Sequence, residues 1–123
     1  MKQIVINDAR GKVLASIGTQ RDFENQSDSA RVLGLAAHER MAWIDWVQSS
    51  APGNGTLLMQ ELLTALEAEG VALIGLEACA TSEEHRQRLA KFYLKFGFVD
   101  VSLITPWSEH PVYLRDAAWN GME

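Results

Sequence analysis

Gly53 and Gly55 stand one residue apart in Pro52-Gly53-Asn54-Gly55-Thr56, between an apolar run at 41–47 and an amphipathic segment at 57–69. Gly70 closes that segment, and a second apolar run, 71–78, begins at once. This order predicts strand, glycine turn, helix, strand. The first turn of a helix leaves backbone N–H groups without intrahelical partners, at the positive end of the helix dipole. Glycine there lets a phosphate approach the backbone closely. The turn is therefore a candidate site for a phosphorylated ligand. Glycines ahead of a helix also serve as plain turn residues, and the pair alone does not separate the two uses.

The chain that must position this turn has 123 residues, the length of one domain spanning 1–123. At 47% hydrophobic it can bury a core without leaning on disulfides or metals. Cys79 is its single cysteine, which excludes an internal disulfide and fits a reducing compartment. One Cys and three scattered His give no zinc spacing, so no metal is expected. The net charge of -5 argues against nucleic acid as the main partner. The start meets a charge at Asp8, too early for a signal peptide. No apolar run approaches membrane-spanning length, so no membrane contact is expected. A soluble cytoplasmic protein is the expectation.

Residues 2–6 are rich in β-branched residues, 7–11 carry a turn signal, and 12–17 return as a hairpin partner. Residues 18–29 read as a polar loop with at most one helical turn. The short apolar run 31–37, broken by His38-Glu39-Arg40, is expected to pair antiparallel with 41–47. In the helix at 56–69, Leu58, Leu62, Ala65 and Leu66 share one face. The run 71–78 is apolar enough for a central strand covered on both faces. Joined by that helix, 41–47 and 71–78 make a right-handed parallel βαβ unit. Thr81-Ser82-Glu83-Glu84 has a capping-box pattern, Leu89, Phe92, Tyr93 and Phe96 form a helical stripe, and Gly97 stops it. A strand at 98–104, a loop at 105–111 and a short strand at 112–115 complete the order. The fold class is α/β: a mixed, mostly antiparallel sheet with a central parallel pair and helices on both faces.

Two motifs in this order resemble the GNAT family of acyl-CoA-dependent N-acyltransferases. In that family a strand leads into a Gln/Arg-x-x-Gly-x-Gly/Ala loop that opens a helix. Here Gly53-Asn54-Gly55 precedes Thr56-Leu57-Leu58-Met59. The family also shows a helix ending in a pattern like Phe/Leu-Tyr-x-Lys-x-Gly-Phe, which Phe92-Tyr93-Leu94-Lys95-Phe96-Gly97-Phe98 matches closely. A lone Gly-x-Gly is weak; the pair, flanking an apolar strand, is more specific. The resemblance covers 41–115. The family's Gln/Arg falls on Ser50, and the loop is short. The asparagine often found near the start of the second helix falls on Arg86. The two helices that usually separate the first strands, and help shape the acceptor site, are reduced to a stub in 18–29.

The resemblance implies that backbone N–H groups of Gly53, Asn54, Gly55, Thr56 and Leu57 hold the pyrophosphate of acetyl-CoA. Val47 and Gln48 would end a strand that splays from its neighbour, with pantetheine in the gap; Val47 also fits ordinary core packing. Arg86 or Arg88 would meet CoA phosphates in place of the missing loop side chain, or belong with Lys91 and Lys95 to a solvated basic face. Tyr93 falls on the tyrosine that serves as general acid toward the leaving thiolate, and it also fits the packed stripe. Asp45 alternates with Trp43 and Val47 in an apolar strand. A carboxylate there needs a partner, such as Arg40, or a raised pKa, and either suits a general base for an amine. Glu77, late in the next strand, is its rival. His38 and Glu39 read as solvated. Trp43, Trp46, Trp107 and Trp119 read as core or interface, with Trp107 a candidate acceptor-site wall or homodimer contact. The implied activity is acetyl transfer from acetyl-CoA to the primary amine of a small molecule or peptide by direct attack. The alternative is a catalytically degenerate CoA-binding or protein-interaction module. A nucleotide-binding P-loop is weaker, because Thr56 follows Gly55 where a lysine is needed.

Overall fold

The computed structural model describes residues 1–26, 30–34 and 40–116. Two strands, β1 (Lys2–Asp8) and β2 (Gly11–Gly18), form the expected hairpin. Helical turns α1 (Gln20–Glu24) and α2 (Arg31–Gly34) precede β3 (Met41–Ser49). The βαβ unit continues with α3 (Asn54–Ala68) and β4 (Leu73–Glu77). Then come α4 (Glu83–Leu94), β5 (Val99–Asp100), a 3₁₀ turn at Ser102–Ile104 and β6 (Val112–Asp116). The sheet order is β1-β2-β3-β4-β6-β5, with β3–β4 its parallel pair and the other neighbours antiparallel.

The pleat sorts the apolar side chains to two faces. Val13, Ala15, Ala42, Ile44, Ile74 and Leu76 meet Leu58, Leu62 and Leu66 of α3 and Tyr93 of α4. On the opposite face Met41, Trp43, Leu73 and Val112 are covered by Phe23 and Leu33 from the small helical turns. Helices therefore cover both faces, as the fold class requires.

Three local expectations change. The segment 31–34 is a helical turn rather than a strand, because β2 pairs with β3 along its whole length and fills that edge. Residues 35–37, His38, Glu39 and Trp119 lie outside the described residues. The strand expected at 98–104 shrinks to Val99–Asp100. The Asp100 carboxylate accepts the Ser102 backbone N–H at 2.8 Å and starts the 3₁₀ turn, so side-chain chemistry overrides β propensity. Helix α4 is capped by Ser82, whose Oγ accepts the His85 backbone N–H at 3.1 Å; the Thr81–Glu84 box does not form the cap. Gly97 ends α4 at φ +89°, as expected.

Gly11 turns the hairpin at φ +139°, and a Cβ there would stand 2.0 Å from the Gln48 carbonyl oxygen in β3. Gly70, at φ +73°, has nothing within 4 Å of an added Cβ. Gly70→Ala should thus cost only the left-handed backbone term, about 1 kcal/mol. Gly11→Ala should cost more than about 3 kcal/mol, since the collision is with backbone. Urea midpoints at unchanged slope measure both. Equal losses at the two positions would show that the contact with β3 does not matter.

Candidate active site

The β3–β4 ladder runs only from Met41 opposite Leu73 to Ile44 opposite Leu76, whereas β3 continues to Ser49 against β2. Leu14 faces Trp46 and Ala15 faces Ile44, so β3 carries one extra residue, Asp45, between them. Such a bulge bends its strand. Past it a cleft of about 680 Å³ opens among Val47, Ser49, Pro52, Gly55, Leu89, Phe92 and Tyr93. The bulge also corrects the expected alternation. Asp45 lies on the face of Ser16, whose Oγ donates to it at 2.8 Å, while Val47 packs toward the α3–α4 core.

The glycine turn forms one end of the cleft. Gly53 caps α3 at φ +89° with no side-chain capping bond. Ser50 has a structural use: its Oγ donates to the Ala9 carbonyl at 2.7 Å and accepts Asn54 Nδ2 at 3.0 Å, tying the turn to the hairpin. A Cβ on Gly55 would meet Phe92 and Ser49 at 3.6–3.7 Å, ordinary contact. Thr56 Oγ1 accepts Lys95 Nζ at 3.0 Å, which joins the start of α3 to the end of α4.

The structure brings Val47, Gly55 and Tyr93 together around the cleft, with Gly53 and the first-turn α3 residues Asn54 and Thr56 adjoining it. Gln48, paired across from Lys12, does not line it. Leu57 is exposed and borders a different depression with Arg10 and Glu61. Arg86 also does not line it: its Nε faces Glu83 at 3.8 Å, and Arg88 takes the cleft position with His85. Thr81 donates its backbone N–H to His85 Nδ1 at 3.2 Å, which leaves Nε2 to carry the proton of the neutral ring. His85, Arg88, Leu89 and Phe92 follow i, i+3, i+4, i+7 spacing. The apolar stripe therefore extends one turn upstream, and that spacing was the available signal for the basic wall.

Tyr93 is buried, with ring centroids 5.2 Å from Phe92, 5.8 Å from Phe98 and 5.5 Å from Tyr113. Burial, then the neighbouring Cys79 and Tyr113, push its phenol up to about 12. It is protonated at neutral pH. Asp45 is raised by desolvation, opposed by the Ser16 bond. Glu77 ends β4, and its Oε1 lies 3.8 Å from Cys79 Sγ. Burial and Glu77 raise the Cys79 thiol. A second cavity, about 660 Å³, opens at the far end of the sheet, but its charges are engaged. Asp22 holds Thr19, and Lys2 and Arg40 pair with Glu69.

The Asp45 shift has a stability consequence. With its folded pKa above the unfolded value of about 3.9, the native state holds the proton longer, so stability falls as pH rises through that window. Asp45→Asn keeps an acceptor for Ser16 and removes the charge. It should stabilise by about 0.3–0.5 kcal/mol at pH 7, a small figure because Asp45 touches solvent. Below about pH 3.5 the advantage should vanish. Denaturation curves at both pH values measure this; an advantage that grows on acidification would reverse the sign.

No protein-family model and no curated protein matches the sequence. Among solved structures, a protein from Desulfovibrio desulfuricans described as a GNAT-family acetyltransferase is similar at 16% identity and a TM-score of 0.56. The match covers 89% of this chain and 62% of that one, so the present chain spans less than two thirds of its neighbour. A mutant of KacT matches at 14% identity and a TM-score of 0.45, over 94% of this chain and 69% of its own. Sheet order, the parallel pair and the first of these likenesses agree: the chain has the GNAT acyltransferase fold.

Proposed function

We propose that this chain transfers an acetyl group from acetyl-CoA to a primary amine of a small molecule or peptide. The observation that carries the reading is the stretch of β3 beyond Ile44 that has no β4 pairing, beside a cleft lined by Gly55 of the glycine turn and by Tyr93. Pantetheine amides suit the β3 edge beyond Ile44, where pairing with β4 has stopped. The pyrophosphate suits the N–H groups at the start of α3, with Arg88 in the cleft wall beside it.

In this reading Asp45, on the Ser16 face of β3 rather than in the cleft wall and made more basic by desolvation, takes the proton of an amine that approaches from that face; Glu77, also outside the cleft lining, is the other candidate. The amine nitrogen attacks the thioester carbonyl, and a β3 backbone N–H holds the oxyanion. Collapse breaks the carbon–sulfur bond and expels the CoA thiolate. Tyr93 then donates a hydrogen bond to sulfur. A phenol near 12 holds its proton against an alkyl thiolate, whose acid is near about 8.5, so Tyr93 stabilises the thiolate more than it protonates it. Holding both reactants in a fixed geometry across β3 supplies much of the rate. A cytoplasmic setting fits the free Cys79. No helix among the described residues is long and apolar enough to cross a membrane. Trp107 is exposed, as are Leu103 and Ile104 in the preceding 3₁₀ turn, and that surface is the candidate homodimer contact.

Two observations favour the degenerate CoA-binding module: Ser50 holds the turn, and α1 and α2 are only five and four residues long on the acceptor side. Turnover separates the readings.

CoA at 100 times its dissociation constant should stabilise the fold by about 2.7 kcal/mol, read as a rise in Tm. Gly55→Glu should fold, since its Cβ has room, and lose that rise, because it sets bulk and negative charge at the helix start. An unmoved melting curve at millimolar CoA would sink the cofactor claim.

Tyr93→Phe keeps the ring packing and removes one donor. A thiol-release assay over a panel of amines should show kcat lowered about 10²–10³-fold with CoA affinity nearly unchanged. Full activity in the Phe variant would assign Tyr93 to packing alone.

A further inference from the structure

We propose that Glu77, Cys79 and His110 form a binding site for one zinc ion. Linear spacing hides this set, and the sheet assembles it. The β4–β6 ladder ends with Glu77 opposite Val112. The Ala78 backbone N–H then donates to the Pro111 carbonyl at 2.8 Å, which carries the antiparallel register one residue past the strand. The next step sets Cys79 across from His110. Side chains two apart share a face, so Glu77 joins them.

The ligand atoms of the three side chains lie within 4.8 Å of one another, and Sγ to Oε1 is 3.8 Å. Tetrahedral zinc, with bonds of about 2.0–2.3 Å, keeps its ligand atoms about 3.3–3.8 Å apart. A shift of the ligand atoms by about 1 Å closes that difference. Thiolate, imidazole and carboxylate together suit zinc and exclude magnesium and calcium, which take oxygen donors. Cys79 is exposed while Glu77 and His110 are half-buried, which gives an ion an entry path and leaves a fourth position for water. Ser108 Oγ donates to the His110 carbonyl at 2.7 Å and holds the loop that carries the ring.

Zinc and an amine would compete for Glu77; that consequence rests on the proposed transferase reading, whereas the binding itself does not.

The test titrates the purified chain with zinc alone, against a chromophoric chelator, and with cobalt(II) as a spectroscopic probe. One equivalent of zinc should bind, and magnesium should not displace it. Cobalt should give the near-ultraviolet thiolate charge-transfer band. Cys79→Ser and His110→Ala should each weaken zinc at least tenfold, and Cys79→Ser should lose the band. Should a variant not fold, the wild-type cobalt spectrum decides alone. Absence of that band, or zinc affinity unchanged in both variants, overturns the site. Gly55→Glu, which removes the proposed CoA contact, should keep zinc binding intact, so a failure of one proposal does not imply failure of the other.

Discussion

The arrangement depends on β3 being held on one side and released on the other. β2 pairs with it from Met41 to Ser49, while β4 pairs with only its first four residues. A strand edge without a partner is tolerated where water reaches it, because buried unpaired backbone groups cost about 1–3 kcal/mol each. The released stretch satisfies this: Asp45, Trp46, Gln48 and Ser49 are all exposed. Such an edge stays extended because β2 fixes its register, so a ligand carrying amides could replace water there with little rearrangement. The hairpin turn sets the position of the edge. Gly11 lets the β1–β2 turn sit directly against Gln48, where any side chain would push β3 away.

Helical periodicity and glycine punctuation made much of this legible. Leu58, Leu62 and Leu66 marked α3, and the left-handed glycines at 53, 70 and 97 bounded the helices. The parallel pair followed from two apolar runs flanking one helix. What escaped were features that need two segments at once. The bulge at Asp45 exists only as a mismatch between β2 and β3, so no single-strand pattern reveals it. The approach of His110 to Cys79 depends on the register of β4 against β6. The run at 31–34 is apolar enough for a strand, but the edge it would join is already occupied, so Val32 and Leu33 instead cover the second core. Near the cleft, Arg86 and Arg88 differ only in helical phase, and phase decides which one reaches it.

Helix α4 shows how one element divides its duties by angle. His85, Arg88, Leu89 and Phe92 turn to the cleft, and Tyr93 reaches both the cleft and the sheet core. Arg88, Lys91 and Lys95 border a shallow depression beside Phe92. Lys95 is drawn in by Thr56 and by the faces of Phe92 and Phe96, at 4.9 and 5.3 Å. In a chain of net charge -5 this is a local positive strip beside a helix N-terminus. Its field favours an anion at this end of the cleft. In the proposed reading, cations from a second helix stand where the turn itself offers none, and Ser50 holds the loop instead.

The electrostatics of the Tyr93 wall bear on when such a site would act. Burial disfavours phenolate at Tyr93, and burial with Glu77 disfavours thiolate at Cys79, so at neutral pH both side chains are neutral donors. A neutral hydroxyl bonds weakly to thioester sulfur, a poor acceptor, and strongly to a thiolate. In the proposed reaction the interaction therefore grows as the carbon–sulfur bond breaks. An anionic side chain in the same place would repel the developing charge. A cation would bind the thiolate product as well and slow its release. A buried phenol that keeps its proton avoids both, and it spends its hydrogen bond on the transition state rather than on the bound cofactor.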